Sequence, residues 1–301
     1  MQLDIIDVRI SKQTALSLTV KLVPLFLESL SELHKNNSRL QFQPRISALR
    51  TRLGGYVKLY ENENHLNAVL FAGIIGEENF LALNESARQW SQSEQQEFLE
   101  ELACDVGLEQ SIDSLNWPQS EAEWQKVEAQ VAQLTHEERQ SLWRQGMLFW
   151  SGFFGGFFNI LSLMIHGAKL TCLVSQAIAG DDDAFLKAAQ IDRLLLTHHP
   201  FFAERKRFAQ DRGEIEFLSK LAYREINSPL RGKIRYPALY MLFGILESLR
   251  WLDDLKHTEI LTLCDSAELH RYQNRVDDVG YLTKRLREYR RWQKTGTVSM
   301  H

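Results

Sequence analysis

Two arginine–histidine intervals are the first places where this chain could do chemistry. Arg193 to His198 reads R-x4-H, and Arg250 to His257 reads R-x6-H. An imidazole exchanges protons near neutral pH and a guanidinium holds an anion in a fixed fork, so the pairing suits an anionic substrate. A second group is cationic throughout: Lys284, Arg285, Arg287, Arg290, Arg291 and Lys294 face a single acid, Glu288, between Tyr281 and Lys294. Such a run can neutralise phosphates or anionic lipid. A third group could ligate a metal, joining His198 and His199 with Asp181 to Asp183, Asp253-Asp254 or Asp277-Asp278. Clustered carboxylates and imidazoles are what divalent ions need, but no H-E-x-x-H spacing organises them, and aspartates at helix starts read as caps. No metal and no cofactor is expected.

The first of these patterns resembles the R-x4–6-H motif of the helical HEPN ribonucleases. The resemblance implies RNA cleavage, with His198 or His257 moving protons and Arg193 or Arg250 stabilising charge on the phosphorane. It covers two residue types only. The chain departs from the family where Leu194 follows Arg193 in place of a polar residue, and His199-Pro200 marks a helix end. Other familiar chemistry is missing: no Walker-type loop, no G-x-G-x-x-G, no G-x-S-x-G elbow and no EF-hand loop occur in the sequence.

These residues must be carried by elements, and the pattern of the chain predicts mostly helices. Thr135 with Glu138 and Ser120 with Glu123 have the spacing of capping boxes, as do Ser93 and Gln96. Asp181 to Asp183 read as an N-cap, and Gly167 and Gly180 as helix ends. Helices are expected near 183–197, 203–225, 237–252, 258–273 and 278–294, with Pro200, Pro229 and Pro237 at their breaks. The basic side chains sort on the last of these: Lys284, Arg287, Arg291 and Lys294 gather opposite Val279, Leu282, Leu286 and Tyr289, with Arg285 and Arg290 on the flanks. The front of the chain reads differently. Leu16, Leu18, Val20 and Leu22 alternate with polar residues as in a strand, Pro24 suits a first helical turn, and 55–60 with 65–71 suit a hairpin.

The most unusual stretch runs from Gln145 to Ala168 without an Asp, Glu, Lys or Arg. The run 147–165 is long enough to span a bilayer, and Gly152 with Gly156 has the spacing of a close helix contact. The same run also suits a central helix that other helices enclose, which is the reading favoured. The 301 residues carry 35 Lys and Arg against 39 Asp and Glu, a net of −4 that excludes no partner by itself. The total conceals a division: the first 150 residues hold 13 basic and 21 acidic side chains, the remainder 22 and 18. Three scattered cysteines form no disulfide or metal framework and suit a reducing cytoplasm, and Asp4 and Asp7 replace the basic start of a secretory signal.

The expectation is therefore a mainly α protein, with a small mixed α+β, acidic region over 1–115 and a helical bundle over 119–301. Its expected role is a non-catalytic accessory or scaffold protein that binds protein partners or itself, and nucleic acid through Lys284, Arg285, Arg287, Arg290, Arg291 and Lys294. Two alternatives stay open: a membrane-associated effector using 147–165, and a HEPN-like ribonuclease.

Overall fold

A computed structural model describes residues 12–35, 121–227, 236–269 and 278–295, together with 60, 69–70, 72–74, 76, 78 and 80–82. The named helices are α1 (Lys12–Lys35), α2 (Glu121–Gln133), α3 (His136–His166), α4 (Leu170–Ile178), α5 (Asp182–Ile191), α6 (Leu195–His198), α7 (Pro200–Arg212), α8 (Ile215–Ile226), α9 (Pro237–Ser248), α10 (His257–Ser266) and α11 (Val279–Thr295). They form a helical bundle, and no strand occurs among the described residues.

The mixed α+β front region is corrected where it is described. The stretch expected as a strand is the first half of α1, and Pro24 lies inside that helix, not in its first turn. The alternation at 16–22 misled because Leu18 and Leu22 also stand one helical turn apart. With Ala15, Val23, Phe26, Leu27 and Leu30 they make a buried stripe, while Leu16 and Val20 are its half-buried margin. Burial of that stripe against α9 and α10 outweighs the hydrogen bond that Pro24 removes. Of the expected hairpin, Tyr60 lies in a turn and Val69 and Leu70 are helical; its other residues lie outside those described, as do Ser120, Ser93, Gln96 and Pro229.

The start of α3 follows from its sequence. Thr135 accepts from the amide of Glu138, whose carboxylate accepts in return from Thr135, so two amides left over at the helix start are satisfied. Gly167 ends the helix at φ 70°, a conformation only glycine adopts without strain. The first turns of α3 are polar and exposed, and the apolar half is enclosed: Phe153, Phe157, Phe158, Leu161 and Met164 are all under 5% exposed. Against it pack α4, α5, α9 and α11. Gly152 lets the backbone at Leu70 approach so closely that a Cβ would stand 2.5 Å from the Leu70 amide nitrogen. Asn159, polar in the middle of an apolar run, accepts from the backbone amide of Thr171 at 3.1 Å and so caps α4. The cap explains a residue that hydropathy alone leaves anomalous.

The helix expected over 203–225 is two. Gly213 takes φ 68° between α7 and α8, and the pair folds back so that α8 packs on α5. The stretch expected at 183–197 is likewise divided, α5 ending at Ile191 and the single turn α6 following.

Candidate nucleic-acid interface

On α11, buried and exposed residues separate by helical geometry. Leu282, Arg285, Tyr289 and Trp292 are buried, three or four residues apart, and hold the helix on the bundle. Lys284, Arg287, Arg291 and Lys294 are exposed at the same spacing. At 100° per residue the four cations fall within an arc of about 80° and along about 15 Å of helix. They stand opposite the packed stripe.

Among the cations marked in the sequence, Arg285 is buried and Arg290 half-buried, and both meet the protein's own acids. Arg285 is 8% exposed, donates to Glu288 at 2.5 Å and lies over the rings of Tyr236 and Tyr281, 4.4 and 5.1 Å from their centroids. Burial pulls its pKa down, yet the hydrogen bond with Tyr240 and the charge of Glu288 leave it raised, so the guanidinium stays charged. Glu288 also accepts from Tyr240 at 3.1 Å. Arg290 pairs with Asp253 and donates to Gln293 at 3.3 Å, with Glu247 3.9 Å away. Glu247 accepts from Gln293 as well and has Lys169 at 3.7 Å. Asp253 and the ring of Tyr236 thus join Arg290 and Arg285 to other segments, while Lys284, Arg287, Arg291 and Lys294 form an exposed row on the other side of the helix. Glu288 was visible in the sequence at three residues from Arg285; Glu247 and Asp253 come from distant segments and carried no local signal.

The structure brings one of the arginine–histidine pairs to this helix. His257 opens α10 and its Nδ1 lies 3.2 Å from the hydroxyl of Thr283 on α11, while Asp253 in the preceding turn meets Arg290. The segment 250–257 therefore runs beside α11. Arg250 is exposed at its start, in the left-handed conformation at φ 62° that closes α9. The other pair stands elsewhere: Arg193 lies in the turn between α5 and α6, and His198 ends α6 with its Nδ1 2.6 Å from the Thr197 hydroxyl. His199 is buried against Phe202.

Of the acids of the metal reading, Asp277 lies outside the described residues, and Asp181, Asp182, Asp183, Asp253 and Asp278 serve helix ends and ion pairs. Asp181 accepts from the amides of Asp183 and Ala184, Asp182 pairs with Arg205, and Asp183 pairs with Lys187. Among the described residues no three His, Cys, Asp or Glu side chains group as a metal site. In α7 and α8, Arg205 also meets Glu214, Lys206 meets Glu225 and Lys220 meets Glu216.

Among the described residues two helices are long and apolar enough to cross a membrane, 12–31 within α1 and the whole of α3, and the apolar window of α3 is 83% buried inside the bundle. Compared with protein-family models, with curated proteins and with solved structures, the chain matches none.

Proposed function

We propose that this chain is a non-catalytic binding protein that holds a nucleic acid against the outer face of α11. The observation that carries the reading is the row Lys284, Arg287, Arg291 and Lys294, exposed along one side of a helix whose opposite side is anchored. A fixed row of cations binds a polyanion by displacing its condensed counterions, which needs no pocket and no cofactor. The enclosure of the apolar half of α3 favours this over a membrane effector, because the rings that would enter lipid are packed on one another, as Phe26 is on Phe153 at 4.8 Å. The free thiols of Cys172 and Cys264 accord with the reducing cytoplasm in which nucleic acid is met. An accessory role follows: the acidic first half of the chain leaves room for a protein partner that the basic face would repel.

The test is binding at low salt with Lys284→Glu, Arg287→Glu and Arg291→Glu combined. Loss of binding by at least about 100-fold, with the helical circular-dichroism spectrum retained, is expected for three phosphate contacts reversed. Unchanged affinity in that variant, or no binding by the wild type, would overturn the proposal.

A further inference from the structure

We infer that two copies of this chain pair through the outer face of α8, the two helices antiparallel about a two-fold axis, independently of any partner on α11. Three observations carry it.

The first is where the apolar side chains of α8 point. Phe217 and Leu221 are buried and anchor the helix, with the ring of Phe217 5.4 Å from that of Phe185 and 4.0 Å from the guanidinium of Arg205. One such stripe is what a surface helix needs. Yet Ile215 and Ile226 are 77% and 73% exposed, and among the described residues no other large apolar side chain exceeds the 52% of Tyr223, on the same helix. An isoleucine left in water forfeits the burial that offsets its stiff, weakly helix-forming side chain.

The second is spacing. The step of 11 residues from Ile215 to Ile226 rises about 16.5 Å and returns to within about 20° of the same direction. Between them Ser219 and Ala222 are exposed, and the four residues share an arc of about 60°. The row reads the same from either end: three residues part Ile215 from Ser219, two part Ser219 from Ala222, and three part Ala222 from Ile226. An antiparallel copy therefore sets Ile215 against Ile226 of the second copy at both ends, and Ser219 against Ala222 twice in the middle. That is the reciprocal contact of a two-fold dimer, in which residue i meets j and j meets i. Small residues at the centre let the helix axes approach to about 8 Å, and the isoleucines close the ends.

The third is charge. Glu216 pairs with Lys220 at 2.6 Å, Glu225 with Lys206 of α7 at 3.3 Å, and Arg224 donates to Gln190 of α5 at 2.6 Å. The helix itself carries two acids and two bases. A second copy meets no net charge to repel it, and a polyanion meets none to hold it. The face measures about 18 Å by about 10 Å, far short of the ~800 Å² per partner of a stable complex, so the pair is a reversible one.

The experiment is sedimentation velocity of the full chain from about 2 to about 500 µM. A shift from monomer to dimer is expected with a midpoint between about 10 and about 100 µM. Ile215→Glu alone and Ile226→Lys alone should each weaken association at least about tenfold. Both keep the helical circular-dichroism spectrum, because the side chains are exposed and the new charges suit the ends of the helix dipole. Mixed in equal amounts, or combined in one chain, the two changes should restore most of the association, since the antiparallel register sets 215 of one copy opposite 226 of the other. A wild type that stays monomeric at about 500 µM, a dimer indifferent to the single changes, or no recovery in the mixture and the double variant would each overturn the inference.

Discussion

The hydroxyl of Tyr289 donates to the carboxylate of Glu247 at 2.5 Å, joining the buried side of α11 to the end of α9. The same carboxylate accepts from Gln293 at 2.5 Å and attracts Lys169 and Arg290. Glu247 is thus the post to which the basic helix is tied. Tyr289→Phe removes the donor and keeps the ring, and is expected to cost about 1.5–3 kcal/mol in urea denaturation, as for hydrogen bonds to charged groups. An unchanged midpoint would show that packing alone holds the helix.

Arg285 and Lys284 are adjacent in sequence and opposite in consequence. Arg285→Ala strands Glu288 and Tyr240 behind α11 and should lower stability by about 3 kcal/mol. Lys284→Ala should change stability by less than about 0.5 kcal/mol while weakening polyanion binding. Denaturation and binding measured on both variants separate the two roles; equal effects on stability would contradict the division of the helix into an anchored and an exposed side.

The two glycines of the small-x-x-x-small spacing are predicted to respond with opposite signs. Gly152→Ala would drive a Cβ against the Leu70 backbone, at 2.5 Å from both its nitrogen and Cα, and should cost about 2 kcal/mol or more. Gly156→Ala meets only Phe26 Cζ at 3.9 Å and should gain up to about 1 kcal/mol through helix propensity. Thermal melts of the two variants decide it.

His166 predicts the acid limb of stability. Burial first, then the charges of Arg224 and Lys187, lower its pKa from 6.5 to about 4, with Asp183 acting the other way. Its Nε2 is buried without a hydrogen-bond partner. The unfolded chain binds this proton more readily than the folded one, so the contribution is complete above about pH 6.5 and is lost as pH falls towards 4, by up to about 3 kcal/mol. Urea midpoints should decline over that window in the wild type and less steeply in His166→Leu. Parallel profiles would remove His166 as the cause.

Much of the helical plan was legible because helix ends are written locally. The Thr135 and Glu138 box, Asp181 as a cap, Gly167 as a stop, and Pro200 and Pro237 in first turns all depend on neighbours within four residues. The opposed faces of α11 were legible for the same reason, as was the placing of Arg285 and Arg290 off the outer row. Where two periods fitted the same residues, local pattern failed: the leucines around 16–22 satisfy both a strand and a helix, and only packing against α9 and α10 chooses the helix.

By itself the sequence determined which residues cap, break and face one another along each helix, since those interactions span a turn or less. It also determined that the apolar run before Gly167 had to be removed from water. Tertiary structure decided what removes it, by wrapping α4, α5, α9 and α11 around α3. Tertiary structure likewise decided which contacts Arg290 and Arg285 make, because Asp253, Glu247, Tyr236 and Tyr240 reach them from segments tens of residues away. Charge can be counted along a chain, but its availability to a partner depends on which opposite charges the fold brings beside it.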